Sequence, residues 1–339
     1  MFSLSDRIPK YLLGKYQLMA TVLFTALFSL LFSSLLPVFY PLLYPALSAV
    51  LSARSGSGNS SFFFIDIVLL GVIASFPREG GNAMASENRP YVVIVGGVNV
   101  DIGGRSFEPL IPKDSNPGSV SVSLGGVGRN IAHNLSLLHE DVRFLTALGE
   151  DPYARLVVDS CDRLNIDLSQ ALRVPGGATS TYLFLSDPGG EMALAVSDMA
   201  ICDRISPDYL SGREALLQGA RLIIADANLP AESIAWLAAH VTPPLFADPV
   251  SVRKAEKLRP VLGRLHTLKP NRSEAELLSG VSITDEASLM RAARALLGSG
   301  LQRVFISLGS DGVLAANHRQ AFLIPCAPAR AVSATGAGD

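Results

Sequence analysis

The sequence predicts an α/β fold: a mostly parallel sheet with helices on both faces, a small β-flap, and an apolar N-terminal extension outside the fold. Three observations predict it. From Leu222 onward short apolar runs alternate with helical patterns, which marks a parallel sheet covered on both sides. Polar residues (Asn99, Asp101, Asn228, Asp248, Asn271, Ser307 and Asp339) fall at or beyond expected strand ends, where such sheets bind ligands. Two alternating segments, Ser180–Leu185 and Met192–Val196, flank Asp187-Pro188-Gly189-Gly190 and read as a hairpin that interrupts the rhythm.

Taken in order, Tyr91–Val95 is a β-branched run entering the tight turn Gly96-Gly97. An extended Val98–Asp101 then places Asn99 and Asp101 on one side, suited to vicinal hydroxyls or equally to an Asx turn. A Gly/Pro-rich passage, 103–118, leads to the alternating Ser119–Leu124, which joins the hairpin in a flap. Gly125-Gly126-Val127-Gly128-Arg129-Asn130 opens a helix whose expected apolar face is Ile131, Leu135 and Leu138. The third glycine of the dinucleotide fingerprint is missing, but the glycines let a ligand approach the backbone at a helix start. Asp151-Pro152 caps a second helix with Leu156, Val157, Cys161 and Leu164 facing inward.

Further on, Leu222–Ala225, Leu245–Ala247, His266–Leu268 and Val304–Ser307 read as strands, and Pro230–His240 and Asp285–Leu297 as helices, with Trp236 a core residue. Ser273-Glu274-Ala275-Glu276 reads as a capping box, and Gly309-Ser310-Asp311-Gly312 as a turn.

The 339 residues carry a net charge of −2 with the signs interspersed, so no basic footprint argues for nucleic acid. Cys161, Cys202 and Cys326 are far apart, as expected of reduced structural thiols, and the histidines show no metal-ligand spacing. Residues 16–53 lack charge, and Leu18–Leu36 is apolar enough to span a bilayer. Two readings stand: a membrane anchor at 18–36 with the following domain facing the cytosol, or an upstream extension, 1–83, ahead of a start at Met84. Either way residues 1–89 form a separate extension, and 90–339 the folded domain.

The chain ends in Ala334-Thr335-Gly336-Ala337-Gly338-Asp339. Successive glycine N–H groups can surround one anion, and an aspartate at the edge of such a nest can take a proton from an attacking hydroxyl. A Gly-rich turn with a capping Asp is the plainer alternative. There is no Walker motif, no GxSxG elbow and no Cys–His pairing to compete.

These residues resemble the PfkB/ribokinase family of carbohydrate and nucleoside kinases. Gly125-Gly126-x-Gly128-x-Asn130 looks like its first signature and Thr335–Asp339 its second, with Ser333 and Ala334 departing from the usual Asp-Thr-x; Asn271-x-x-Glu274 matches a third motif. The likeness runs from Tyr91 to the end. Segments 114–118, 125–130, 247–251 and 266–272 resemble the branch that phosphorylates pseudouridine.

The resemblance implies a ribokinase-like three-layer sandwich that uses ATP and Mg²⁺, with a monovalent cation such as K⁺ as an option. Asp339 would be the base toward the 5′-hydroxyl, and Gly336, Ala337 and Gly338 the anion hole. Asn99, Asp101, Gly125, Gly126 and Asn130 would grip the sugar. Asn271, Ser307, Gly309, Gly312 and Thr335 would serve the nucleotide, and Glu274 the Mg²⁺ through water. The flap would close over the site, and could join two copies in a homodimer; residues 114–116 and the flap are the candidates for reading the base. Family members continue past Gly-Ala-Gly-Asp, so the chain as written reads as a truncated kinase. A ribokinase-like specificity and a non-catalytic nucleoside-binding module are the alternatives.

Overall fold

Strand β1 (Tyr91–Val95) is apolar and buried throughout its length after Tyr91, because it lies at the middle of the main sheet with helices on both sides. The computed structural model describes residues 90–326. The expectations for 1–89, including the span at 18–36 and the start at Met84, lie outside the described residues, as do those for Thr335, Gly336, Ala337, Gly338 and Asp339. Among the described residues no helix is long and apolar enough to cross a membrane.

The chain leaves β1 through Gly96-Gly97 into the flap strands β2 (Asn99–Ser106) and β3 (Gly118–Gly125). Helix α1 (Val127–Leu137) returns it to β4 (Asp141–Leu145), then through β5 (Ala147–Leu148) to α2 (Pro152–Arg163), β6 (Ile166–Asp167) and β7 (Leu172–Arg173). The flap is completed by β8 (Thr181–Ser186) and β9 (Met192–Asp198). Short helices α3 (Pro207–Ser211) and α4 (Glu214–Gln218) precede β10 (Leu222–Asp226), α5 (Ala231–His240), β11 (Leu245–Asp248) and α6 (Val252–Ala255). The remainder is β12 (Thr267–Leu268), α7 (Arg272–Ser279), α8 (Glu286–Gly298), β13 (Arg303–Ser307), β14 (Val313–Asn317) and β15 (Ala321–Ile324).

Among the described residues the main sheet has nine strands in the order β15-β14-β13-β12-β11-β10-β1-β4-β6, parallel except at β13–β14–β15. Successive strands are added outward from β1 on one side and then, from β10, on the other. The order therefore reverses between β1 and β10, which is where an open α/β sheet leaves a crevice. Val93 and Val95 face a core shared with Ile234 and Leu237 of α5 and the helices after it. Val92 and Ile94 point to the opposite face, where α1 packs on β1, β4 and β10. This is the ribokinase-like sandwich expected from the motifs.

The flap is a separate four-stranded sheet, β3-β2-β8-β9, with β2 and β8 parallel. Its register sorts the side chains cleanly. Asn99, Asp101, Ser121, Ser123, Tyr182 and Phe184 share one face, and Val120, Val122, Leu183, Leu185, Leu194 and Val196 share the other. These six apolar residues are 40% to 75% exposed, while Val100 at the base of the same face is buried. The expected hairpin joins β8 to β9, and Gly190 supplies its positive φ of 90°.

Several local expectations need correction. Strand β2 runs on through Gly103-Gly104 into a passage read as irregular, because Phe184 of β8 lies over Gly103, where a Cβ would come within 2.5 Å of the ring. Leu138 caps α1 and is 37% exposed, and Leu156 on α2 is 44% exposed; Val157 and Cys161 do face inward. Strand β4 was not anticipated, since Asp141 and Arg143 hide its apolar run. The capping box of α7 is Asn271 with Glu274, not Ser273 with Glu276.

Candidate active site

Three polar features gather at the β1/β10 crevice. In β2, Asn99 Nδ2 donates to Asp101 Oδ1 at 2.6 Å, so the two side chains form a unit on the polar face of the flap. Asn99 is buried and Asp101 half-buried. Burial pushes the Asp101 carboxyl above its ordinary value, against the pull of Asn99 and the Arg129 guanidinium. Gly125 pairs with Asn99 across the ladder, and a Cβ there would come within 2.2 Å of the Asp101 carboxylate. Gly126 has φ 96° and ψ 131°, and a Cβ on it would lie 2.7 Å from the Gly97 carbonyl. Asn130 follows on the first turn of α1.

The sequence read these glycines as openings for a ligand to reach a helix start. In the fold they are occupied from within. Gly128 N–H donates to Asp226 Oδ2 at 2.8 Å, Arg129 N–H to the Gly97 carbonyl at 3.2 Å, and Asn130 N–H to the Gly126 carbonyl at 2.9 Å. Two donors of the helix start, the N–H groups of Gly128 and Arg129, are therefore spoken for inside the protein. Asp226 follows directly on the expected strand Leu222–Ala225. The cue was available in Leu222–Asp226, a lone carboxylate closing a run of buried apolar residues.

Beside it, Asn228 Oδ1 accepts from Lys254 Nζ at 2.5 Å, and Lys257 Nζ donates to the carbonyls of Ala227 and Leu229. Asp248, in register with Asp226 at the end of the next strand, is 3.0 Å from Lys269 Nζ, both side chains being nearly buried. Cys202, buried near Asp226, is pushed up to about 12 by desolvation, so it remains a thiol. Asp114 and Ser115 are exposed and Asn116 is half-buried, its side chain bonded to the backbone of Ile111 and Asp114 so that it closes its own loop.

A second group forms further along the sheet. Asn271 caps α7 and bridges to Ser307 at the end of β13, whose N–H donates to the Pro270 carbonyl at 2.9 Å. Gly309 and Gly312 shape the following turn with φ of 62° and 96°, and Arg272 reaches that turn through Asp311 at 3.2 Å. A Cβ on Gly309 would meet nothing within 4 Å, so the turn has open space before it. Asn271, Ser307, Gly309 and Gly312 are thus brought together; Thr335 is outside the described residues.

Glu274 is only 3% exposed, and its Oε2 accepts from Asn271 N–H at 2.8 Å. Mg²⁺ needs one or two carboxylates beside substrate phosphates and water. One carboxylate oxygen already committed to a cap does not make a protein-built site, and no group of three or more metal-binding side chains occurs among the described residues.

Comparison with known proteins identifies the family. The profile of the pfkB family carbohydrate kinases matches residues 89–339. The chain is 40% identical over 258 residues to the pseudouridine kinase of Escherichia coli, covering 75% of this chain and 82% of that one. It is 36% identical over 266 residues to an uncharacterized sugar kinase of the same organism, covering 77% and 73% respectively. Among solved structures, Arabidopsis thaliana ribokinase complexed with ribose and ATP superimposes with a TM-score of 0.64 at 20% identity, over 72% of this chain and 80% of that one.

Proposed function

Because this chain belongs to the pfkB family of carbohydrate kinases, phosphotransferases with an alcohol group as acceptor, we propose that it phosphorylates the 5′-hydroxyl of pseudouridine with ATP. The observation that carries the substrate is the 40% identity to a pseudouridine kinase across 82% of that enzyme.

In this reading the Asn99–Asp101 pair and Asn130 hold the ribose hydroxyls. Gly125 and Gly126 serve this grip by letting the backbone close against the Asp101 carboxylate and the Gly97 carbonyl, where a Cβ would clash. Tyr182 and Phe184, whose ring centroids are 5.9 Å apart with the planes tilted by 36° on the same flap face, offer aromatic surface to the base. Asn271, Ser307, Gly309, Gly312 and Thr335 hold the nucleotide. Asp339 takes the proton of the acceptor hydroxyl, and the amides of Gly336, Ala337 and Gly338 face the charge on the transferring group. Mg²⁺, bound chiefly by phosphates and water, supplies charge neutralisation, with Glu274 acting on it only through water. The requirement for ATP puts the enzyme in the cytosol.

The apolar face of the flap belongs, in this reading, against the same face of a second copy. Self-complementary patches of this kind close a two-fold dimer.

The test is a coupled ADP-release assay with pseudouridine, uridine and ribose. Pseudouridine should be turned over in preference to both others; preference for ribose would move the protein to a sugar-kinase specificity. Asp339→Asn should lower kcat by orders of magnitude with little change in nucleoside affinity, and near-normal turnover would remove Asp339 from the role of base.

A further inference from the structure

Asp226 ends β10 at the point where strand order reverses, and only 1% of it is exposed. Its Oδ2 accepts from Gly97 N–H at 2.9 Å and from Gly128 N–H at 2.8 Å, while Oδ1 accepts from Asn228 N–H at 2.9 Å. None of the ion pairs among the described residues includes it. A buried carboxylate without a cation partner is costly, so its retention asks for a reason.

The geometry supplies one. Gly97 stands two residues before Asn99, and Gly128 two residues before Asn130. A single oxygen atom thus ties together the two backbone segments that carry the sugar-binding side chains. The glycines make room for it: a Cβ on Gly96 would lie 2.4 Å from Oδ2, and one on Gly128 3.0 Å from it. We propose that Asp226 is the positioning residue of the acceptor pocket, its carboxylate setting the separation of the Asn99–Asp101 pair from Asn130. This rests on the reading of those residues as the sugar grip. An amide cannot replace it without loss, because an Asn oxygen lacks the charge shared by two N–H donors and its NH₂ would face the N–H of Asn228.

Burial pushes Asp226 up to about 6, against the pull of its N–H donors from Gly97, Asn228 and Gly128. The charged and titratable groups around it are Lys254 and Lys257, Cys202 and Asp203, and Asp248 with its partner Lys269; Asp101 follows on the β2 segment that Gly97 leads into. As pH falls through 6 a proton on Oδ1 turns an acceptor toward the Asn228 N–H into a hydroxyl, and the clamp loosens.

The test uses the full chain. In amide NMR spectra recorded from pH 8 to 5, Gly97 and Gly128 should shift with one shared midpoint near 6, and should be flat in Asp226→Asn. By calorimetry, pseudouridine should bind at least tenfold more weakly to Asp226→Asn at pH 7.5, with the affinity for a non-hydrolysable ATP analogue kept within twofold. Wild type should lose acceptor affinity between pH 7.5 and 5.5, and the variant should not. Separate midpoints for the two glycines, immobile amides, or normal pseudouridine binding by the variant would each overturn the proposal. If Asp226→Asn does not fold, the wild-type titration decides alone. If wild type binds ribose and not pseudouridine, the substrate reading fails, and the same comparison is made with ribose.

Discussion

Asn99 and Asp101 lie one residue apart on β2 and bond to each other at 2.6 Å, so the protein presents them to a ligand as one polar surface. Alternation along the strand places both on the inner face of the flap, and the pairing of Asn99 with Gly125 brings the glycine-rich turn against them.

Asp101→Asn should separate binding from stability. Its carboxyl titrates above the ordinary value because burial disfavours the charge, so the ionised group costs the fold stability at neutral pH. Removing the charge should leave Tm unchanged or slightly higher. Acceptor affinity should drop about 10–100-fold, the equivalent of a charged hydrogen bond at about 1.5–3 kcal/mol. Thermal unfolding and calorimetry on the same variant would check it; a large fall in Tm would show the residue to be structural.

Gly126→Ala should destabilise far more than Gly280→Ala. Both positions have positive φ, 96° and 70°, but a Cβ at Gly126 meets the Gly97 carbonyl at 2.7 Å whereas at Gly280 it meets nothing within 4 Å. Gly280→Ala should cost about 1 kcal/mol of left-handed strain, and Gly126→Ala about 3 kcal/mol or more, read by urea unfolding. Equal losses would mean that the backbone at Gly126 yields without consequence.

Placing charge on the outer flap face should break the proposed dimer. Leu183 and Val196 are directly paired in the ladder and are 44% and 65% exposed. Light scattering should report a dimer for wild type and a monomer for Val196→Lys. A wild-type monomer at micromolar concentration would end the idea.

His266 should make the protein acid-sensitive. It stacks on Phe246 with centroids 5.5 Å apart, and burial together with the Arg303 charge lowers it to about 4. The unfolded chain takes up this proton near 6.5 and the folded one near 4, so the contribution to stability is complete above 6.5 and lost as pH falls between those values. Allowing for partial exposure, the loss is about 1–2 kcal/mol. His266→Phe should flatten stability across that window while keeping the stack. An unchanged slope in unfolding free energy against pH would refute the assignment.

The sequence by itself determined the fold class and the flap. Those features are written in local chemistry: β-branched runs bounded by glycine, a Pro-Gly-Gly turn, and short motifs whose spacing survives in any context. Gly125, Gly126 and Gly128 were legible as indispensable, but the reason for them was not. Only the tertiary structure decided that Asp226, far downstream, lies against Gly128, while the Asp101 carboxylate and the Gly97 carbonyl lie against Gly125 and Gly126. For Glu274 the sequence placed a capping box too far along the chain, and only the structure shows that its carboxylate accepts the Asn271 N–H. Strand β4 was invisible because its charged residues break the apolar pattern that burial at a sheet's interior otherwise imposes. A one-dimensional pattern records what each segment can do alone; which donor meets which acceptor depends on strands brought together from distant parts of the chain.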